Sequence, residues 1–143
     1  MRGVTLLELV VVLVILGLVA SLAAPSISGT LGAGRLRSGA SDLRAVFTRA
    51  RTLAVAEARP RVVRVEVAGR RFGVDGEESR RLPDGVSVAS ARIGAKPVEE
   101  ERFRVRFYPD GSADGAEVIL ASEGGGTLRV AVDPLTGIAE AVR

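Results

Sequence analysis

The chain contains no cysteine and no histidine. That excludes Cys nucleophiles, Ser-His-Asp triads, imidazole acid–base chemistry and thiolate metal sites. It does not fix the compartment. Aromatic residues make up only 3%, with no Trp, so platforms for stacked bases or sugars are scarce. Charge is also missing locally: no charged residue occurs from Leu9 to Ala24.

What is present is 143 residues, enough for one domain plus one long helix. The net charge of +3 is unevenly spread. Residues 1–59 hold Arg2, Arg35, Arg37, Arg44, Arg49, Arg51 and Arg59 against Glu8, Asp42 and Glu57, a balance of +4. The remainder balances at −1. The excess base fits a solvated helix face first, then acidic lipid or an acidic partner subunit, and nucleic acid last.

The apolar run LVVVLVILGLVASLAA covers Leu9 to Ala24 and extends back to Val4, with Glu8 as its one charge. As a helix it would be about 31 Å long, close to the hydrocarbon thickness of a bilayer. Three readings fit: a plain anchor, a secretory signal with Ser21-Leu22-Ala23 as cleavage site, or a prepilin-type leader. Glu8 separates them. A lone carboxylate in a spanning helix costs roughly 2.5–3.5 kcal/mol on insertion scales, and neither an anchor nor a signal has use for it. Met-Arg-Gly is also very short for a signal's charged region.

The stretch Gly3-Val4-Thr5-Leu6-Leu7-Glu8-Leu9 resembles the processing site of type IV pilins and type II secretion pseudopilins. The resemblance implies that a prepilin peptidase cuts after Gly3 and that the new amine of Val4 is methylated. Val4 stands where Phe or Met is commoner. Glu8, with Thr5, would serve assembly, the carboxylate pairing with the amine of a neighbouring subunit. Pro25 falls where many pilins carry a helix-bending proline. The resemblance also places the N-terminus in the cytoplasm and the C-terminal domain in the periplasm. Loop charge alone does not orient the chain, because Arg35 and Arg37 follow the run and only Arg2 precedes it.

Beyond Pro25, Gly29, Gly32 and Gly34 weaken helical propensity. Leu36, Leu43, Phe47, Ala50 and Ala54 then recur at helical spacing, on a helix of roughly 20 residues. Ser41-Asp42 is a candidate N-cap for a separate helix. Pro60 ends helical propagation. The period then changes to two: Val63, Val65 and Val67; Val86 and Val88; Phe103, Val105 and Phe107; Leu128, Val130 and Val132. Val118-Ile119-Leu120 reads as a more central strand. Lys96 to Arg102 reads as an exposed charged loop, and Gly124-Gly125-Gly126 as a hairpin connection. The fold class expected is α+β, a long hydrophobic N-terminal helix packed on a small, mainly antiparallel sheet. Its parts are a leader (1–3), a transmembrane or assembly helix (4–25), a linker with an amphipathic helix (26–59) and a β-rich periplasmic domain (60–143).

Three later stretches narrow the resemblance to the GspH/FimT group. They are Leu43 to Val67, Phe107 to Ala113 followed by Glu117 to Leu120, and Val130 to Gly137. This implies a minor pseudopilin of a type II secretion system, an inner-membrane protein built into a periplasmic pseudopilus. Its partners would be other pseudopilins, the prepilin peptidase, the inner-membrane secretion platform and membrane lipid. The first alternative is a FimT-like minor type IV pilin serving pilus assembly or DNA uptake. Nucleic acid is not expected, because the tail Gly137 to Arg143 is not basic. The second alternative is a membrane-anchored enzyme using Asp84, Asp110 or Asp114, but Asp84 and Asp110 sit in Pro-Asp-Gly turns that need no catalysis to explain them. Asp110, Ser112 and Asp114 alternate like Ca²⁺ ligands but lack the closing glutamate. No enzyme activity, cofactor, metal or small-molecule substrate is expected.

Overall fold

The structure, a computed structural model, describes residues 5–142, and within them all side chains except those of residues 22–30. The chain falls into two compact units, Met1–Leu31 and Gly32–Arg143. Its elements are α1 (Leu6–Ala56), β1 (Arg61–Glu66), β2 (Arg71–Val74), β3 (Arg80–Arg81), β4 (Val86–Ile93), β5 (Lys96–Pro97), β6 (Arg102–Phe107), β7 (Ala116–Ser122), β8 (Thr127–Val132) and β9 (Ala139–Val142).

In the first unit, every described side chain from Thr5 to Ser21 is exposed. Apolar residues occupy all sides of this segment, so it has no single stripe to bury. The Ser21 hydroxyl is absorbed by the helix, donating to the Leu18 carbonyl at 2.8 Å. Among the described residues no helix is long and apolar enough to cross a membrane. Val4 and the side chains of residues 22–25, part of the expected 4–25 span, lie outside the described set.

In the second unit, Leu36, Ala40, Leu43, Phe47, Ala50 and Ala54 are buried along one side of α1. The spacing alternates between four and three residues, the mark of a single helix face. Ser41 and Asp42 do not begin a new helix: both lie inside α1. The Asp42 carboxylate instead accepts from Arg80 at 3.4 Å. At Gly39 the helix passes close to the β3–β4 connection. A Cβ there would stand 3.2 Å from Pro83 Cδ and 3.4 Å from Leu82 Cδ2.

The strands form two sheets, ordered β3-β2-β1-β6 and β5-β4-β7-β8-β9. Every pairing within them is antiparallel. Alternation decides what each buries: β6 has Phe103, Val105 and Phe107 inside and its arginines outside. Both sheets and the α1 stripe share one apolar cluster, with Phe47 and Phe107 at its centre, ring centroids 6.0 Å apart. β7 is the middle strand of its sheet, as the Val118-Ile119-Leu120 run suggested. The Lys96–Arg102 segment is not all loop, because Lys96 and Pro97 pair with β4 as a two-residue edge. Proline is tolerated there because an edge strand need donate on one side only.

Candidate assembly site

The helix begins at Leu6 because Thr5 caps it. The Glu8 amide donates to Thr5 Oγ1 at 3.3 Å, and the Leu9 amide donates to the Thr5 carbonyl at 3.2 Å. Thr5-Leu6-Leu7-Glu8 has capping-box spacing, so the threonine satisfies one of the unpaired amides of the first turn. Glu8 lies in that same turn, where a carboxylate interacts favourably with the positive end of the helix dipole. The resemblance to pilins implies an assembly role for Thr5 and Glu8; the structure places both in the first turn of the helix, with Thr5 as its cap. Gly3 and Val4 lie outside the described residues, as does the Pro25 side chain expected to bend the helix.

Around this cap the surface is aliphatic. Leu6 is 81% exposed, and Leu7 and every residue from Leu9 to Leu16 are exposed with it. Contiguous apolar area on this scale marks a surface that lipid or another protein covers. The one carboxylate in it, Glu8, is exposed and open to an incoming cation.

The motifs of the second unit converge on a different group, Arg51 of α1. Its Nε donates to the Thr136 carbonyl at 2.7 Å and to the Gly111 carbonyl at 3.3 Å. Thus the helix ties the 109–112 turn to the 133–137 turn. The latter is folded on Asp133, whose Oδ1 accepts from the Thr136 amide (2.8 Å), the Thr136 hydroxyl (2.9 Å) and the Leu135 amide (3.0 Å). Those bonds from Thr136 and Leu135 hold the Asp133 carboxyl below the usual carboxylate range. Gly137 closes the turn at φ 62°, and a Cβ there would collide with the Gly111 carbonyl oxygen. The sequence places Arg51 only among the excess base of a solvated helix face. Its role depends on a contact across 85 residues of chain, which no local pattern reports.

The carboxylates nominated for catalysis or Ca²⁺ are held by turns and strands. Asp84 accepts from Arg70 at 3.1 Å. Asp110 accepts from the Ser112 hydroxyl at 2.6 Å and amide at 3.0 Å, which lowers its pKa. Asp114 accepts from the Tyr108 hydroxyl at 2.7 Å and the Arg106 amide at 3.2 Å. The bond to Asp114 raises the Tyr108 pKa. Among the described residues no group of three or more carboxylates is placed to hold a metal ion.

Comparisons with known proteins fit this arrangement. Residues 1–24 match the family model described as the prokaryotic N-terminal methylation motif. The chain is 29% identical over 122 residues to type II secretion system protein H of Xanthomonas campestris pv. campestris, covering 84% of this chain and 71% of that protein. The type IV minor pilin FimU of Pseudomonas aeruginosa has a similar fold in two crystal forms. In one the TM-score is 0.59 at 13% identity, over 77% of this chain and 90% of FimU. In the other it is 0.56 at 16% identity, over 76% and 93%.

Proposed function

We propose that this chain, a pilin-like protein of the GspH/FimT kind, is a minor pseudopilin of a type II secretion system. It is stored in the inner membrane by its apolar N-terminal segment, with the N-terminus cytoplasmic and the second unit periplasmic. A prepilin peptidase cuts after Gly3 and methylates Val4. The segment then leaves lipid for contact with other pilin-like subunits. The observation that carries this reading is the segment from Thr5 to Ser21: a capped helix, exposed on all sides, with Glu8 as its single charge. In lipid that carboxylate is costly; beside a neighbour's N-terminal amine at about 4 Å it gains on the order of a few kcal/mol at an effective dielectric near 20. Assembly thus favours the state in which the pair is made.

The secretion system is preferred over a pilus because the relative aligned over most of this chain is a secretion protein. The fold likeness to a minor pilin keeps a pilus subunit as the second reading. Deleting the gene in its host separates the two. Loss of extracellular enzyme secretion with normal pili supports the pseudopilin. Intact secretion with lost piliation or DNA uptake overturns it in favour of the pilin.

A further inference from the structure

The outer face of the β3-β2-β1-β6 sheet is an arginine array. Val63, Val65, Phe103 and Val105 point inward, so Arg64, Arg102, Arg104 and Arg106 take the opposite face. Phe72 and Val74 do the same for Arg71 in β2, and Arg81 of β3 lies directly across from Arg71. Two like-charged pairs therefore stand opposite each other on one face, Arg64 with Arg104 and Arg71 with Arg81. Such pairs destabilise a sheet unless an anion lies between them. The chain supplies little to relieve them. Asp75 takes Arg64 at 2.8 Å, and Glu66, directly across from both Arg71 and Arg102, takes Arg102 at 3.5 Å. Among the described residues Arg71, Arg81, Arg104 and Arg106 have no ion pair. A hollow lined by Arg64, Arg102 and Arg104, with Glu66 and Glu100 at its edge, opens on the same face, three guanidinium groups against two carboxylates.

We infer that this face docks on an anionic phospholipid headgroup layer. Three observations select that occupant. Guanidinium forks bind phosphate oxygens in bidentate fashion. None of the large exposed hydrophobics described lies on this face, whereas a protein interface normally has an apolar or aromatic core. No aromatic side chain is exposed there for base stacking, and the same chain carries an all-round aliphatic helix suited to lipid. The inference rests on the membrane-stored state proposed above. In that state the second unit is held against the bilayer surface, and assembly must release it.

The test uses the full chain in vesicles. Because the chain has no cysteine, Val62→Cys on this face and Ser87→Cys on the other sheet each place one fluorophore. The vesicles carry a headgroup nitroxide quencher. They are either phosphatidylcholine alone or roughly one part in three phosphatidylglycerol, at low and high salt. Quenching at position 62 and not 87 is expected, only with phosphatidylglycerol. It should be lost at high salt and in Arg71→Gln/Arg104→Gln. Quenching that ignores lipid charge, salt and the arginines overturns the inference. So does an unquenched label that responds instead to a DNA duplex or polyglutamate in the phosphatidylcholine sample. Co-flotation with phosphatidylcholine reads the apolar helix separately. A chain that stays out of those vesicles overturns membrane storage and the inference with it, while loss of the phosphatidylglycerol effect alone overturns only the face.

Discussion

At the scale of single residues, Thr5 and Glu8 do different work within one turn. Thr5→Ala removes the cap and is expected to cost about 1 kcal/mol of helix stability, with Thr5→Ser restoring it. Glu8→Leu leaves the cap intact. It is expected to block incorporation into filaments while the melting temperature of the second unit stays unchanged. Normal incorporation, scored by cross-linking in cells, would refute the proposed charge pairing. Gly3→Ala is expected to leave an unprocessed chain, visible as slower migration in cells that contain the peptidase. Arg51 carries the corresponding weight in the second unit. Arg51→Met leaves the Gly111 and Thr136 carbonyls without their charged donor. About 2 kcal/mol of stability should be lost in denaturant unfolding.

At the scale of elements, α1 ends in a way that can be improved. Ala58 adopts φ 50°, and the Arg59 amide donates to the Ala54 carbonyl at 3.2 Å, the wide bond of a Schellman cap. That position favours glycine, so Ala58→Gly is expected to stabilise the second unit by about 1 kcal/mol, read as a raised denaturation midpoint. The helix stripe and the strands with clean alternation were visible in the sequence because burial on one face imposes a period. β2 and β9 were not anticipated, since Arg-Phe-Gly-Val and Ala-Glu-Ala-Val are too short to establish one. The two-residue edges β3 and β5 carry no periodic signal at all. The separate helix start at Ser41-Asp42 was a misreading with a physical reason: capping residues also occur mid-helix when a partner such as Arg80 takes the side chain. Of the candidate site, Glu8 was evident because its cost in an apolar run is local. The Arg51 clamp was not, because turns at 111 and 136 meet it only in the fold.

At the scale of the whole molecule, charge placement predicts a pH response. Arg59 and Arg61 lower the Glu57 pKa, Arg49 lowers that of Glu77, Ser112 that of Asp110 and Thr136 that of Asp133. Each folded-state pKa lies below its unfolded value. The resulting stability is therefore present above the ordinary carboxylate range and is lost as pH falls through the folded values. Thermal melts from neutral pH downward should show a falling midpoint below about pH 4. Asp133→Ala should lower the midpoint at neutral pH and flatten its acid dependence. A midpoint indifferent to acid would contradict this assignment.

The exposed aliphatic surface from Leu6 to Ser21 has a geometric consequence. A rod that is greasy on every side carries no azimuth: it can be rolled about its own axis against a similar rod with little change in contact. Under the proposed charge pairing, Glu8 is then an index mark that fixes both rotation and rise. Moving the acid by one position would turn that mark by about 100° and shift it by about 1.5 Å. Glu8→Leu/Leu9→Glu should therefore yield assemblies of altered helical symmetry, measurable from filament images, where deletion of the acid yields none.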